Sequence, residues 1–321
     1  MNENVKKRCQ QIIDRAYNYF VAEEKEPLEK ILISMIAGQH LLFEDQPGLG
    51  KTLLVKIFAS LIDIPWGRIQ FTPDLMPAAV AGTKIWNERS NEFELQRGPV
   101  FTTFLLADEI NRAMPKTQSA LLEAMEELQV TIEGETLELD ETFVVMATQN
   151  PIENEGTYAL PEAQLDRFGM KMSLGYIEDT AVESDILHRR IDWQEDDPTD
   201  QIDSLLSYEE FRQLRRAVEQ IKVEDSLIEH ITRLVQASRE QPEVEYGSSP
   251  RGSLALLALA RARAIIHGRS YVIPDDIRAL YLPTLRHRII LTMDSRMDGI
   301  TSDEVLESIY INMPAPGATE T

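Results

Sequence analysis

The feature that most restricts the fold of this chain is an eight-residue segment, DQPGLGKT (45–52), between an apolar run and a helical pattern. Leu41, Leu42 and Phe43 precede it, and apolar residues recur at helical spacing over residues 53–61 after it. A strand, a glycine-containing loop ending in Gly-Lys-Thr and a helix, in this order, form a P-loop. The segment therefore predicts phosphate binding within an α/β fold.

The residues of this loop suit a phosphate chain. Its glycines let backbone N–H groups surround the phosphates, and the start of the following helix adds positive potential. Lys51 would reach the terminal phosphates, and the Thr52 hydroxyl would ligate Mg²⁺. We predict that eight consecutive residues bind the nucleotide: Gln46, Pro47, Gly48, Leu49, Gly50, Lys51, Thr52 and Leu53. Asp45 replaces the first glycine of the usual pattern, which we expect to be tolerated because the glycines nearest the phosphates remain.

The wider pattern predicts an α/β core followed by a helical domain. Short apolar runs alternate with helical patterns at residues 40–44, 66–71, 103–107, 143–148 and 169–173. This alternation predicts a five-stranded parallel sheet covered by helices. From about Ser204 the pattern is helical, apart from a short apolar piece at residues 289–291. We place the core at residues 1–190, a linker at 191–203, an all-helical lid at 204–313 and a disordered tail at 314–321; an ordinary surface loop is the alternative for the linker.

Polar residues follow two of the predicted strands. The run that ends at Ala107 delivers Asp108 and Glu109, and the run that ends at Thr148 delivers Gln149 and Asn150. In a parallel sheet these strand ends face the same crevice as the P-loop. Asp108 would then hold Mg²⁺, Glu109 would polarise the attacking water and Asn150 would orient it. The alternatives are acids that merely end a strand and an asparagine that forms a turn before proline.

Two arginines stand out near the ends of predicted elements. Arg167 directly precedes the last strand, and Arg251 follows Ser249 and Pro250, which read as the N-cap and first residue of a helix. A cation in the first helical turn opposes the helix dipole, and an anionic partner such as a phosphate would relieve that cost. Ordinary surface salt bridges are the alternative for both arginines.

The composition excludes several classes of function. The chain has 32 Lys+Arg against 54 Asp+Glu, a net charge of −22, which disfavours nucleic acid and anionic membrane surfaces as partners. Cys9 is the one cysteine, so no intramolecular disulfide forms. No apolar stretch approaches the roughly 18 residues of a membrane span and no signal peptide is recognisable, so we expect a cytoplasmic protein without membrane insertion. No base-reading motif of GTPases occurs, which favours adenine, and no Cys/His cluster indicates zinc.

The order of motifs closely resembles the MoxR family of AAA+ ATPases over roughly residues 28–313. The matching segments are GPVFTTFLLADEINR (98–112), PKTQSALLEAM (115–125), ATQNPI (147–152), EGTY (155–158), LPEAQLDRF (160–168), SPR (249–251) and LRHR (285–288). The resemblance implies a P-loop NTPase core of the AAA+ type with a helical lid.

Position by position, the resemblance implies roles for the candidate residues. Lys51 and Thr52 match Walker A, Asp108 and Glu109 match Walker B, Asn150 matches sensor 1, Arg167 matches the arginine finger and Arg251 matches sensor 2. An arginine finger acts on the nucleotide of a neighbouring subunit, so a homo-oligomeric ring is implied, hexameric in related proteins. Whether Arg251 acts on its own subunit's nucleotide or on the neighbour's stays open.

The resemblance also implies two inserted structures and one departure. The family's insert in helix 2 would correspond to residues 74–86, and its hairpin before sensor 1 to residues 129–139. Alternating Val130, Ile132, Leu137 and Leu139 support the hairpin independently. The segment FVAE (20–23) lacks the glycine that the family has where it contacts adenine.

We therefore expect an ATP-hydrolysing ring with Mg²⁺ and ATP as cofactors. The resemblance implies chaperone-like remodelling of a protein client, in maturation or cofactor insertion of a protein complex, with a von Willebrand factor A domain protein as partner. One alternative is a nucleic-acid motor on the same core, which the charge of −22 disfavours. Another is a nucleotide-gated adaptor with little hydrolysis.

Overall fold

The structure is a computed structural model that describes residues 2–150, 157–194 and 197–316. These ranges contain eleven strands, several of which form short antiparallel pairs. In chain order they are β1 (His40–Glu44), β2 (Trp66–Gln70), β3 (Gly82–Asn87), β4 (Glu92–Arg97), β5 (Phe104–Asp108), β6 (Gln129–Ile132), β7 (Glu135–Glu138), β8 (Val144–Gln149), β9 (Phe168–Met172), β10 (Val244–Tyr246) and β11 (Ile290–Leu291).

Helices make up most of the remainder of the described chain. In chain order the α-helices are α1 (Asn2–Tyr19), α2 (Glu26–Ala37), α3 (Lys51–Ile62), α4 (Pro77–Ala81), α5 (Pro115–Glu127), α6 (Glu162–Leu165), α7 (Thr180–Trp193), α8 (Tyr208–Val218), α9 (Asp225–Ala237), α10 (Pro250–Ile266), α11 (Pro274–Leu285), α12 (Met293–Met297) and α13 (Ser302–Asn312). Within the described ranges, no helix combines the length and the apolar character that a bilayer crossing requires.

Five strands form one parallel sheet in the order β2-β5-β8-β1-β9. This confirms the five-stranded parallel sheet predicted from the apolar runs, and each strand lies within one residue of its predicted bounds. Because the strands are parallel, their carboxyl ends at Glu44, Gln70, Asp108 and Gln149 lie at one edge of the sheet. That edge carries the P-loop and the predicted acidic pair.

Both faces of the sheet are buried. Leu41 and Phe43 of β1 belong to one hydrophobic cluster, and the intervening Leu42 belongs to the other, as the alternation of side chains along a strand requires. The first cluster also contains Leu256 of α10 and Leu280 of α11. The helical lid therefore shares a core with one face of the α/β domain.

The lid is built mainly from helices α8–α13. The apolar piece at residues 289–291 contributes β11, which pairs with β10 in a short antiparallel ladder. Helix α7 runs past residue 190, and a 3₁₀ turn at Pro198–Gln201 lies within the predicted linker. The domain limits stay predictions; residues 195–196 of the linker and 317–321 of the predicted tail lie outside the described residues.

Two antiparallel hairpins project from the core. The hairpin predicted at residues 129–139 is confirmed as β6 and β7, with Glu133 and Gly134 at positive φ in the turn. The predicted insert is longer than residues 74–86, because β3 continues to Asn87 and pairs with β4 as far as Arg97. The insert predicted from the family resemblance ends within β3, the first strand of this hairpin.

Candidate active site

The P-loop lies between β1 and α3, and Lys51 is the first residue of the helix. Gly48 and Gly50 have φ values of 90° and 73°, which residues other than glycine rarely adopt. A Cβ atom on Gly50 would also lie 3.0 Å from the ring of Phe20. Gly50 is thus required both by backbone conformation and by close packing against the end of α1.

Lys51 is buried and surrounded by oxygen atoms. Its Nζ donates to the carbonyl oxygens of Asp45 at 3.3 Å and Gln46 at 3.1 Å, and it lies 4.0 Å from the Asp45 carboxylate. Burial lowers the pKa of the Lys51 ammonium, while the carboxylates of Asp45, Asp108 and Glu109 act in the opposite direction. A phosphate chain beside Lys51 would further favour its charged form.

Asp45, which replaces the first P-loop glycine, connects the loop to the end of β9. Its carboxylate accepts hydrogen bonds from the backbone N–H of Leu174 at 3.0 Å, that of Gly175 at 3.3 Å and the Ser173 hydroxyl. The side chain is almost fully buried. The departure from the usual pattern therefore has a structural role, because the buried carboxylate bonds the P-loop to the backbone that follows β9.

Asp108 and Glu109 lie at the carboxyl end of β5, as predicted from the sequence. Asp108 accepts a 2.7 Å hydrogen bond from the hydroxyl of Thr148 on β8. It also forms an ion pair with Arg68 on β2, in which Arg68 Nη2 lies 2.8 Å from Asp108 Oδ2. Thr148 in turn accepts from the backbone N–H of Glu109 at 2.8 Å. Glu109 has a φ of 56°, a left-handed backbone conformation that is uncommon for a non-glycine residue.

The Glu109 carboxylate is held by two donors. One of its oxygens accepts from Gln70 Nε2 at 2.8 Å and from Arg112 Nη1 at 3.1 Å. Sequence analysis did not identify Gln70 or Arg68 as site residues. The signal that could have found them is the polar alternation of Arg68 and Gln70 at the end of an otherwise apolar run.

One cavity of about 300 Å³ gathers residues 47–52 of the P-loop with Asp108, Glu109 and Asn150. Its lining comprises Asp45, Pro47, Gly48, Leu49, Gly50, Lys51, Thr52, Arg68, Gln70, Asp108, Glu109, Thr148, Gln149 and Asn150. The backbone carbonyl oxygen of Asn150 accepts a hydrogen bond from Asn111 Nδ2 at 3.2 Å. The motif residues Pro151, Ile152, Glu155 and Gly156 that follow lie outside the described residues.

A second cavity of about 510 Å³ shares the glycines of the P-loop and is mainly apolar. The segment FVAE (20–23) lines it, together with Leu53, Tyr176 and Trp193. Gln46 contacts the Tyr176 hydroxyl through its side chain. An apolar cavity beside a phosphate-binding loop is suited to a nucleotide base, and it forms here without the family's glycine in that segment.

The oxygen atoms of the first cavity fit Mg²⁺. Thr52 and Asp108 both line it and offer a hydroxyl and a carboxylate. Among the described residues, no group of three or more His, Cys, Asp or Glu side chains could enclose a metal ion. Sparse oxygen ligation completed by water and substrate phosphates is the mode that Mg²⁺ uses in nucleotide sites.

Arg167 and Arg251 do not line either of these cavities. They lie together beside a separate cavity of about 220 Å³, where both contact Glu126 at the end of α5. Arg167 Nη2 lies 2.6 Å from Glu126 Oε2, and Arg251 contacts the other carboxylate oxygen. The two arginines hold the pKa of Glu126 below its usual value. The structure therefore brings the two predicted arginines to each other and not to their own P-loop.

The arginine pair is tied to the lid through the residue before Arg167. Asp166 accepts from the Ser249 hydroxyl at 2.8 Å and from Arg288 Nε at 2.9 Å. Ser249 also caps α10, accepting from the Arg251 N–H at 3.1 Å, which confirms the predicted N-cap. Arg251 is thus positioned by the start of a lid helix that is itself bonded to the segment carrying Arg167.

Comparisons with known proteins identify the family of this chain. Residues 40–170 match the ATPase family associated with various cellular activities (AAA), and residues 236–309 match the AAA lid domain. The chain is 46% identical to protein YeaC of Bacillus subtilis, covering 89% of this chain and 88% of that one. It is 39% identical to chaperone MoxR1 of Mycobacterium tuberculosis, covering 92% and 79%. A crystal structure from Cytophaga hutchinsonii superposes with a TM-score of 0.90 at 38% identity, covering 98% and 96%. The chain belongs to the MoxR family of AAA+ ATPases.

Proposed function

We propose that this protein hydrolyses ATP in a homo-oligomeric ring, hexameric in form, and uses the energy to remodel a protein client. The observation that carries the proposal is the division of the predicted site. The P-loop, Asp108, Glu109 and Asn150 share one cavity, while Arg167 and Arg251 lie elsewhere on the same chain. A complete site then requires residues from two subunits.

Within one subunit, each residue has a distinct task. The P-loop N–H groups and Lys51 hold the phosphates, and Thr52 and Asp108 would hold Mg²⁺. Mg²⁺, when bound, neutralises charge that develops on the phosphate oxygens. Glu109 accepts the proton of the attacking water, and Asn150 orients that water. Gln70 and Arg112 both donate to Oε2 of Glu109, and these two hydrogen bonds orient its carboxylate.

The neighbouring subunit supplies positive charge to the γ-phosphate. Arg167 would act as the arginine finger, which stabilises the charge of the transition state. Because Arg251 shares the Glu126 carboxylate with Arg167, we assign it to the same neighbouring nucleotide and not to its own. Hydrolysis is then coupled to ring assembly, since an isolated subunit lacks both cations at its nucleotide.

The family and the surface both support a protein client. A relative 39% identical to this chain is named a chaperone. The β3–β4 hairpin exposes Trp86 and Phe93, whose ring centroids lie 5.2 Å apart. Exposed aromatic residues of this kind suit contacts with another protein. We propose a role in maturation or cofactor insertion of a protein complex, with a von Willebrand factor A domain protein as partner.

Steady-state ATPase assays of Glu109→Gln test the hydrolytic site. The variant keeps the shape of the side chain but cannot accept the proton, so we expect nucleotide binding to persist and turnover to fall by at least about a hundredfold. Glu123→Gln, an exposed position on α5, is the matched control. Wild-type turnover in Glu109→Gln would contradict the proposed site. Tight ATP binding without turnover in the wild-type protein would instead favour an adaptor.

Mixed rings test whether Arg167 acts on a neighbour. Arg167→Ala subunits retain an intact P-loop, and Lys51→Ala subunits retain intact arginines. Each variant alone should be inactive. A mixture should recover activity at interfaces where the P-loop of an Arg167→Ala subunit meets the arginines of a Lys51→Ala subunit. A mixture no more active than its separate components would overturn action between subunits.

A salt-dependent affinity for DNA would favour the nucleic-acid motor over the client-remodelling role.

A further inference from the structure

Glu126 contacts both of the arginines that we assign to the neighbouring subunit's nucleotide. It lies near the end of α5, and its two partners come from separate segments, 41 and 125 residues away in the chain. Arg167 binds one carboxylate oxygen through Nε at 2.7 Å and Nη2 at 2.6 Å, while Arg251 binds the other. One carboxylate thus bridges two guanidinium groups from the core and the lid.

This arrangement has an electrostatic consequence. Two neighbouring guanidinium groups repel each other, and a third, Arg288, lines the same cavity. Glu126 offsets this repulsion and its two oxygens fix the directions of both side chains. Without the carboxylate, the long side chains of Arg167 and Arg251 would separate and sample many rotamers.

We propose that Glu126 is a positioning residue that holds Arg167 and Arg251 side by side for the nucleotide of the neighbouring subunit. This inference rests on the proposed role of the two arginines between subunits. Glu126 lines neither cavity around its own P-loop, so it acts on hydrolysis only through the arginines it holds. Its effect belongs to the subunit that donates the arginines.

The variant Glu126→Gln keeps the size of the side chain and removes its charge. We expect kcat for ATP hydrolysis to fall at least about tenfold, because small misplacements of charged groups have effects of this size or larger. KM and ADP binding at the variant's own P-loop should stay near wild-type values. Glu127→Gln, the next residue on α5, is the matched control and should retain wild-type kcat.

Mixed rings identify the side of the interface on which Glu126 acts. Glu126→Gln mixed with Lys51→Ala should recover activity, because the Lys51→Ala subunit presents intact arginines to an intact P-loop of the variant. Glu126→Gln mixed with Arg167→Ala should show no recovery, because both subunits then lack a working arginine donor. Recovery with Lys51→Ala also shows that the Glu126→Gln chain is folded.

Each outcome decides between the alternatives. Wild-type or higher kcat in Glu126→Gln would overturn the positioning role, and higher kcat would make Glu126 an inhibitory contact. Recovery with Arg167→Ala, or none with Lys51→Ala, would also overturn it. Wild-type kcat in Arg167→Ala would contradict the proposed function itself. An inactive Arg167→Ala with a normal Glu126→Gln would contradict only this inference.

Discussion

Arg288 of the lid forms a buried ion pair with Asp166 of the core: its Nε lies 2.9 Å from Asp166 Oδ1, and its side chain is 2% exposed. The same guanidinium donates to the carbonyl oxygens of Phe168 at 2.8 Å and Gly169 at 3.2 Å. Burial lowers the pKa of Arg288, and Asp166 opposes this effect. Arg288 therefore fixes the segment that carries Arg167.

We expect Arg288→Met to lower the free energy of unfolding by about 3–5 kcal/mol, because it removes the cationic partner of Asp166 and a donor to several carbonyl groups. Arg286→Met is the matched control. Arg286 pairs with Asp303 at 2.7 Å, but both side chains are partly exposed, so its loss should cost about 1 kcal/mol or less. Urea denaturation of both variants measures the difference; equal losses would contradict a special role for Arg288.

The sheet and the P-loop side of the site were predictable from sequence, because both depend on local patterns. Apolar runs mark buried parallel strands, and residues that follow such strands meet at one edge of the sheet. Asp108 was therefore placed beside the P-loop without knowledge of the strand order. The structure adds that β8 lies between β5 and β1.

The remaining contacts depend on pairing between distant segments. Gln70 reaches Glu109 because β2 pairs with β5 in a register that sets Gln70 opposite Asp108, and no local pattern specifies that register. The placement of Arg251 beside Arg167 depends on how α10 packs against the core. Sequence therefore left open whether Arg251 serves its own nucleotide, since that depends on the position of the lid.

Replacing Asp45 by the usual P-loop glycine should lower the stability of this protein. Asp45→Gly removes the carboxylate that accepts from the Leu174 N–H and is one of two acceptors for the Gly175 N–H, so we expect the free energy of unfolding to fall by about 1–3 kcal/mol. ADP affinity should not improve. Asp45→Asn keeps one carbonyl acceptor and should lose less stability. Chemical denaturation and calorimetric titration measure both effects, and a more stable or tighter-binding Asp45→Gly would contradict the linking role of Asp45.

His40 should make stability dependent on pH. Val145 N–H donates to its Nδ1 at 3.0 Å, and burial lowers its pKa from 6.5 to about 4. As the pH falls, His40 is therefore protonated in the unfolded chain before it is protonated in the folded chain. The contribution of neutral His40 to the free energy of unfolding is complete above pH 6.5 and is lost as the pH falls toward 4, by up to roughly 3 kcal/mol. His40→Gln should show a shallower decline in unfolding free energy over this range. His188→Gln, an exposed control, should decline as wild type does; an equal decline in His40→Gln would contradict the assignment.

Trp193 should contribute to binding of the nucleotide base. Its ring stacks on Tyr19 with centroids 5.9 Å apart, and both residues line the apolar cavity that adjoins the P-loop. A base entering this cavity would contact the aromatic pair, and such stacking contributes about 1–3 kcal/mol. We therefore expect Trp193→Leu to raise the Kd for ADP about tenfold, measured by titration calorimetry. Trp86→Leu, in the β3–β4 hairpin, should leave the Kd unchanged. An unaltered Kd in Trp193→Leu would contradict a contribution of Trp193 to base binding.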